Sequence, residues 1–134
     1  MEALKRTLLG ARSIAYSASA SGVPLSTELF PRLGIAEQIA GRCKRIESER
    51  VARGDPEIGF QQISELLPVP GIDYVGLLPA GAQKITVFSA GIATGSREPD
   101  LAKALIKFLK SVEIFPAIVK SGLEPVSESA VPTK

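Results

Sequence analysis

Apolar positions recur along the chain with two different periods, which predict alternating helices and strands. Helical spacing, three or four residues apart, is found at residues 2–9, 23–33, 35–42, 97–110 and 112–121. Short apolar or alternating runs, typical of strands, are found at residues 12–17, 43–48, 56–62, 72–78 and 83–94. The run at 83–94 has the strongest strand pattern of these. Strands that alternate with helices build parallel βαβ units, so we expect an α/β fold with a mostly parallel sheet flanked by helices.

The last two predicted helices differ in where their apolar residues lie. Within residues 97–110, apolar side chains such as Leu105 and Phe108 recur on one side of the helix and lysines on the other. Within residues 112–121, apolar residues nearly encircle the helix. We expect both helices to belong to a single α/β domain over residues 1–126, followed by a flexible tail over residues 127–134.

The composition is that of a globular domain. The 134 residues are 45% hydrophobic and 22% charged, close to the average of folded soluble proteins. Sixteen basic residues against 14 acidic ones leave a net charge of +2, and the basic residues are scattered. Nucleic-acid binding needs a basic face, usually with aromatic residues for stacking, and the chain has no Trp. We therefore expect no nucleic-acid partner.

Missing residue types exclude several kinds of site. The chain has no His and one Cys, so it cannot form a disulfide framework or a Cys/His zinc site. Ser-His-Asp and Cys-His catalysis need an imidazole base. The acidic residues between positions 47 and 57 lie among arginines and predict a solvated, salt-bridged surface. We therefore expect a domain that is not an enzyme and has no cofactor. Cys43 is either a small, partly buried apolar residue or a reactive thiol.

Neither a membrane span nor an export signal is expected in the sequence as given. No run of about 18 apolar residues occurs, as a membrane-spanning helix would need. The early apolar run at residues 7–11 is too short for the core of a signal peptide. A chain made as written would stay in the cytoplasm.

The first candidate ligand site follows the strand predicted at residues 12–17. The segment before the next helix contains Ser17, Ser19, Ser21 and Gly22, whose small size lets a ligand approach and whose hydroxyls add donors. The alternative is structural, with Ser19 or Ser21 capping the helix that follows.

The second candidate site is the pair Gln61 and Gln62, at the carboxyl end of the strand predicted at residues 56–62. Open α/β sheets place ligands beyond the carboxyl ends of their strands, and an amide side chain both donates and accepts hydrogen bonds. Alternation along a strand sends the two side chains to opposite faces, so at most one is expected to face a given ligand. The alternative is that both amides hold neighbouring loops.

Three runs of the sequence, in this order, resemble one protein family: "SIAYSASASGV", "ARGDPEIGFQQISELLPVPGI" and "QKITVFSAGIATGSREPDLAKALIKFLKSVEIFPAIVKSGLEPV". They are similar to the later part of bacterial extracellular solute-binding proteins, with the molybdate-binding branch of the type II periplasmic binding proteins most similar. The resemblance implies a periplasmic-binding-protein-like lobe, here the second lobe plus two C-terminal helices, without a first lobe. Ligands of the family are held by backbone amides and small polar side chains, which implies contacts at Ala20 and Ser21, at Ser48 and Glu49, and at Gln62.

The resemblance also implies a function and partners. The function is binding of a small polar or anionic solute in ABC-type uptake, either retained or vestigial, with the transporter's membrane subunit as partner. The family is exported, which implies a periplasmic location. Without a first lobe, the apolar sides of the two C-terminal helices need another surface, so we expect a homo-oligomer formed through them. The alternative function is a regulatory or oligomerisation module without a transport ligand.

Overall fold

The structure, a computed structural model, describes residues 1–47 and 56–126. The chain divides into two compact units, Met1–Thr86 and Val87–Lys134. The described strands lie in the first unit, and the second unit contains the two C-terminal helices.

The described part of the first unit contains a three-stranded parallel sheet. β1 (Ile14–Ser17) lies between β2 (Cys43–Ile46) and β3 (Ile58–Phe60). Ile14 pairs with the first residue of each neighbouring strand, so the three strands begin at the same edge of the sheet. All four residues of β1 are buried, as is typical of a central parallel strand. The carboxyl ends of the strands therefore meet at the opposite edge.

Helical segments lie before β1, between β1 and β2, and after β3. They are α1 (Glu2–Gly10), a π-helical turn (Leu25–Leu29) that continues into α2 (Phe30–Arg32), α3 (Ala36–Ile39) with a 3₁₀ turn (Ala40–Arg42), and α4 (Ile63–Leu66). Pro31 lies in the first turn of α2 and has no N–H for the carbonyl four residues earlier. The helix changes from π-helix to α-helix just before this proline.

The hydrophobic core of the first unit joins β1 to the helices. Its completely buried apolar side chains include Leu8, Ile14, Ile35 and Ile39. Tyr16 of β1 packs edge to face with Phe30 of α2, with ring centroids 5.8 Å apart and ring planes at 74°. Because side chains alternate along a strand, Ser17 points to the opposite face of the sheet from Tyr16.

Arg42 connects the end of α1 to the start of β2. Its guanidinium donates to the carbonyl oxygens of Leu9 and Ala11 at 2.9 and 2.6 Å, and to that of Gln38 at 3.2 Å. The last carbonyls of a helix have no partner within the helix, and an arginine commonly supplies one. One half-buried side chain thus holds two helical segments together beside the sheet.

The second unit contains α5 (Pro99–Leu109) and α6 (Phe115–Lys120). Both helices have Pro in the first turn, where a missing N–H costs nothing. α6 ends before Gly122, whose φ of 81° lies in the left-handed region that favours glycine. On α5 the side chains of Leu105 and Phe108 are 57% and 49% exposed. The homo-oligomer expected through these helices stays a prediction.

Two of the predicted strands are wrong. Residues 72–78 and 83–94 form no strand, and Val75 and Ile85 within them are 98% and 83% exposed. An extended segment becomes a strand only when a neighbour supplies partners for its backbone N–H and C=O groups. In the described sheet both sides of β1 are already occupied by β2 and β3. Neither segment pairs with the outer edge of β2 or β3 in the described sheet, so its backbone has no ladder partner there.

The remaining expectations about the fold have mixed outcomes. The α/β class with a parallel sheet and flanking helices is confirmed, as are the strands near residues 12–17, 43–48 and 56–62. The domain extent over residues 1–126 stays a prediction, and the tail over 127–134 lies outside the described residues. Among the helices that the structure describes, none has the length and apolar character to cross a membrane.

Candidate functional site

The candidate site is built on the segment that leaves the carboxyl end of the central strand. Ser17, the last residue of β1, is completely buried. Its hydroxyl lies 2.7 Å from that of Ser19 and 3.1 Å from that of Ser21, and the latter two hydroxyls are 3.0 Å apart. Ser19 is exposed and Ser21 is half-buried. A buried hydroxyl therefore contacts two hydroxyls that solvent can reach.

Gly22 makes this turn possible. A Cβ atom at this position would lie 2.0 Å from the carbonyl oxygen of Ser17, a distance that no side chain can occupy. The N–H groups of Gly22 and Val23 both donate to the carbonyl of Ser19 at 3.1 Å. The chain thus folds back over the end of β1, and this turn brings the three serines together.

Gln61, which follows β3, completes the group. Its Oε1 accepts a hydrogen bond from the Ser21 hydroxyl at 2.9 Å. The strands are parallel and adjacent, so the end of β3 lies beside the end of β1. We call Ser17, Ser19, Ser21 and Gln61 the serine–glutamine cluster.

The orientation of the Gln61 amide follows from its partners. The backbone N–H of Gln62 also donates to Oε1, at 2.9 Å. An N–H can face only an acceptor, so Oε1 must occupy this position and Nε2 must point elsewhere. Nε2 is buried and has no hydrogen-bond partner among the residues that the structure describes. Leaving such a donor unpaired costs about 1–3 kcal/mol, which makes an acceptor at this position favourable.

The hydroxyls of the cluster do not form a closed network. Ser21 donates to Gln61, so the hydroxyl hydrogens of Ser17 and Ser19 must serve the remaining hydroxyl–hydroxyl contacts. A serine hydroxyl carries one hydrogen, and there are more contacts than hydrogens. At least one contact therefore has no hydrogen bond, and an incoming acceptor takes a hydrogen that one of the present contacts uses.

The cluster can bind and orient an anion but cannot transfer protons by itself near neutral pH. Hydroxyls and carboxamides do not titrate there, and they donate hydrogen bonds without a charge. A carboxylate, which accepts several hydrogen bonds, suits such a set of donors. A proton-transfer step at this edge of the sheet needs a further group.

Two groups with shifted pKa values lie at the other edge of the sheet. Burial raises the pKa of the Cys43 thiol, and the Arg42 guanidinium lowers it by less. The backbone N–H of Arg12 donates to Glu57 at 2.7 Å and holds the pKa of that carboxyl below its usual value, with a smaller effect of the Arg12 guanidinium. Both groups precede the strands or begin them, so they take no part in the cluster. A protonated, half-buried thiol agrees with a structural role for Cys43.

The structure brings only some of the predicted contact residues together. Ser17, Ser21 and Gln61 belong to the cluster, and Gly22 shapes the turn beside it. Ala20 is exposed, and Gln62 contributes its backbone N–H rather than its side chain. Ser48 and Glu49 lie outside the described residues. The sequence signal for this site is a strand followed by three serines and Gly22 before a helix.

The structural alternative for the serines is not observed. The residue that caps the π-helical turn is Pro24, and no side-chain hydrogen bond caps that turn. The hydroxyls of Ser19 and Ser21 bond within the cluster instead. For the glutamines, Gln61 holds the serine segment as the alternative proposed, yet its Nε2 has no partner in the described part of the chain.

Other places in the described residues offer less. Within them, no group of three or more His, Cys, Asp or Glu side chains could hold a metal ion. The second unit has an open groove of about 640 Å³. It is lined by Ile92, Lys103, Ile106, Lys107, Lys110, Ser111, Phe115 and Val126. The described residues that the sequence predicts as ligand contacts do not line this groove.

A curated relative from a Pseudomonas species, named aconitate isomerase, is 48% identical to the chain over 130 residues. The aligned region covers 94% of this chain and 50% of the relative, so the chain spans about half the length of that protein.

The expectation of a domain that is not an enzyme is wrong, because this relative of high identity is named as an enzyme. The expectation came from the absence of His and of a paired-acid site in this chain. Proton transfer can use other side chains, and half of the relative has no counterpart here. Missing residue types therefore excluded particular mechanisms, not catalysis.

The family comparison agrees with the resemblance seen in the sequence. A model of the bacterial extracellular solute-binding protein family matches residues 1–124. No solved structure matches the chain. The matched region includes the parallel sheet, its flanking helices and both C-terminal helices. The chain therefore belongs to the bacterial extracellular solute-binding protein family.

Proposed function

We propose that this chain forms the carboxylate-binding lobe of an isomerase that acts on unsaturated tricarboxylates such as aconitate. The observation that carries the proposal is the serine–glutamine cluster, in which uncharged donors converge at the carboxyl edge of the sheet. The identity to a relative named aconitate isomerase supports this substrate class. Aconitate carries three carboxylates, so a lobe that contributes to its binding needs such donors.

The chemistry of the substrate shows what the cluster can contribute. Aconitate has one carbon–carbon double bond next to a methylene group, and its cis and trans forms interconvert only if the π bond is broken. Loss of a methylene proton gives an allylic carbanion, and return of a proton at the former vinyl carbon restores a double bond in the shifted position. One proton leaves and one is added, so the reaction is balanced without another reactant. The negative charge spreads onto a neighbouring carboxylate during this step.

Hydrogen-bond donors that are already oriented stabilise charge as it develops. Ser19 is exposed and Ser21 is half-buried, and contacts with the buried Ser17 hydroxyl restrict the positions of both hydroxyls. In this proposal they bind the carboxylate that receives the charge. The base that removes the proton is another group, because the cluster holds none that titrates near neutrality.

Proton NMR with trans-aconitate in D₂O tests the proposal. The vinyl signal of the cis isomer is expected to grow with time, with deuterium from solvent at the carbon that is protonated. Calorimetry with trans-aconitate and with tricarballylate, its saturated analogue, measures binding separately. If neither tricarboxylate binds, the proposal is overturned. Binding without turnover contradicts the isomerase and favours a second candidate, solute binding alone, which membership of the solute-binding family supports.

A further inference from the structure

We propose that the side-chain Nε2 of Gln61 donates a hydrogen bond to a carboxylate of the bound ligand, and that Gln61 rather than Gln62 makes the site select carboxylates. The inference rests on the proposed function for its substrate class, and it adds the residue that recognises the group. The family resemblance implies a ligand contact at the adjacent Gln62. The two glutamines are therefore competing candidates for the contact with the carboxylate.

The first argument is the fixed orientation of the Gln61 amide. Oε1 accepts from both the Ser21 hydroxyl and the Gln62 N–H, each at 2.9 Å. Turning the amide by half a rotation would place its NH₂ group against the Gln62 N–H, with two donors facing each other. The side chain therefore keeps Nε2 as a donor in a constant direction.

The second argument is that this donor has no partner. Nε2 is buried and makes no hydrogen bond within residues 1–47 and 56–126, whereas buried polar atoms in folded proteins nearly always have one. A buried donor without a partner needs an explanation, such as a catalytic role or a bound water or ion. Since protein atoms cover Nε2, contact with a ligand requires a shift of these atoms. The Ser21 hydroxyl, which turns about a single side-chain bond, can exchange its bond to Oε1 for one to the ligand.

The third argument is the neighbourhood of the amide. Ser21 is bonded to Gln61 and is half-buried, and Ser19 is exposed. An anion that approaches the edge of the sheet meets these hydroxyls first and then the amide. A carboxylate has two oxygens and about four lone pairs, so it can accept from a serine hydroxyl and from Nε2 together. The side chain of Gln62 makes none of the hydrogen bonds in this cluster.

Substitution by glutamate separates the two assignments. Gln61→Glu keeps an oxygen for Ser21 and for the Gln62 N–H, but it replaces the free donor by a negatively charged oxygen. Gln62→Glu makes the same chemical change at the next residue and leaves its backbone N–H in place. Gln83→Glu, on an exposed loop, controls for the change in net charge. Calorimetry with succinate, tricarballylate and trans-aconitate measures the affinity of each variant.

Gln61→Glu is expected to weaken carboxylate binding about 10- to 100-fold, the loss typical of a hydrogen bond to a charged group. Gln62→Glu is expected to have a smaller effect, and Gln83→Glu none. In nitrogen–proton correlation spectra of the unmodified protein, the carboxamide signals of Gln61 are expected to shift with added tricarballylate. This second measurement does not require any variant to fold.

The outcomes distinguish this inference from the proposed function. If aconitate binds and isomerises but neither the Gln61→Glu substitution nor the Gln61 signals respond, the inference is overturned and the function stands. If succinate or tricarballylate binds through Gln61 but aconitate is not isomerised, the inference stands and the isomerase is overturned. If Gln62→Glu has the larger effect, the assignment to Gln61 is wrong. If no carboxylate binds, both are overturned.

Discussion

The hydroxyl of Ser21 donates a hydrogen bond to the side-chain oxygen of Gln61 at 2.9 Å, across 40 positions of the chain. This bond links the turn after the central strand to the end of the neighbouring strand β3. The Gln62 N–H donates to the same oxygen, and this bond determines that Nε2 is the end of the amide without a partner among the described residues. A contact between two polar side chains that are far apart in the sequence thus joins the two segments of the candidate site.

Ser17→Ala tests whether the buried hydroxyl positions the other two serines. Free energy of unfolding, measured with urea, is expected to change by about 1 kcal/mol or less, because Ser19 can turn to solvent. Affinity for tricarballylate is expected to fall about threefold to tenfold as the exposed hydroxyls lose their common partner. Ser26→Ala removes a hydroxyl that donates to the Val23 carbonyl, outside the cluster. An equal loss of affinity in both variants would contradict a positioning role.

Gly22→Ala is expected to destabilise the first unit by about 1–3 kcal/mol or more and to remove carboxylate binding. The added Cβ would overlap the Ser17 carbonyl oxygen, so the turn must move. Gly10→Ala is the matched control, since nothing lies within 4 Å of the Cβ it adds. Its stability, from urea unfolding, is expected to stay the same or rise by up to about 1 kcal/mol. Similar stability of the two variants would show that the turn accommodates a side chain.

Phe30→Ala is expected to lower the free energy of unfolding by about 3–5 kcal/mol. Phe30 is 3% exposed and packs against Tyr16, so its loss leaves a cavity beside the central strand. The same change at Phe88, which is 63% exposed, is expected to have an effect within about 0.5 kcal/mol. Urea unfolding followed by circular dichroism measures both. A small effect at Phe30 would mean that the core collapses around the missing ring.

Arg42→Met keeps much of the side-chain length but removes the guanidinium that bonds three carbonyls. We expect a loss of about 1–3 kcal/mol in the free energy of unfolding, because the last carbonyls of α1 lose their partner. Arg45→Met, on an exposed position of β2, is the control and is expected to change stability by about 0.5 kcal/mol or less. Amide hydrogen exchange in α1 should increase only in the Arg42 variant. Unchanged exchange there would argue against the cap.

Glu57→Gln is expected to change how stability depends on acid pH. The folded-state pKa of Glu57 is lowered, first by the Arg12 backbone N–H, so its contribution is present above the unfolded pKa of about 4.3. That contribution is lost as the pH falls through the lower, folded-state pKa. The stability advantage of the natural protein over the variant should therefore shrink below about pH 4.3. Urea midpoints between pH 7 and pH 3 measure this, and parallel pH profiles would contradict it.

The candidate site was only partly predictable from the sequence. Ser17, Ser19, Ser21 and Gly22, which lie between a predicted strand and a predicted helix, predicted a polar group at the edge of the sheet. The choice between Gln61 and Gln62 was not predictable, because alternation shows that the two side chains diverge without showing which one meets the serines. That choice depends on β3 lying next to β1, which brings together Ser21 and Gln61, 40 positions apart in the chain.

By itself the sequence determined the class of the fold, the order of its helices and first three strands, and the membership of a family. Apolar periodicity predicts helices and strands from a few neighbouring residues, and the order of three runs along the chain indicates the family. Only the tertiary structure decided that residues 72–78 and 83–94 are not strands, and that Gln61 keeps an unpaired donor beside the serines. A strand needs a partner for its backbone, and a binding site needs groups from distant segments. Both depend on which parts of the chain become neighbours in space.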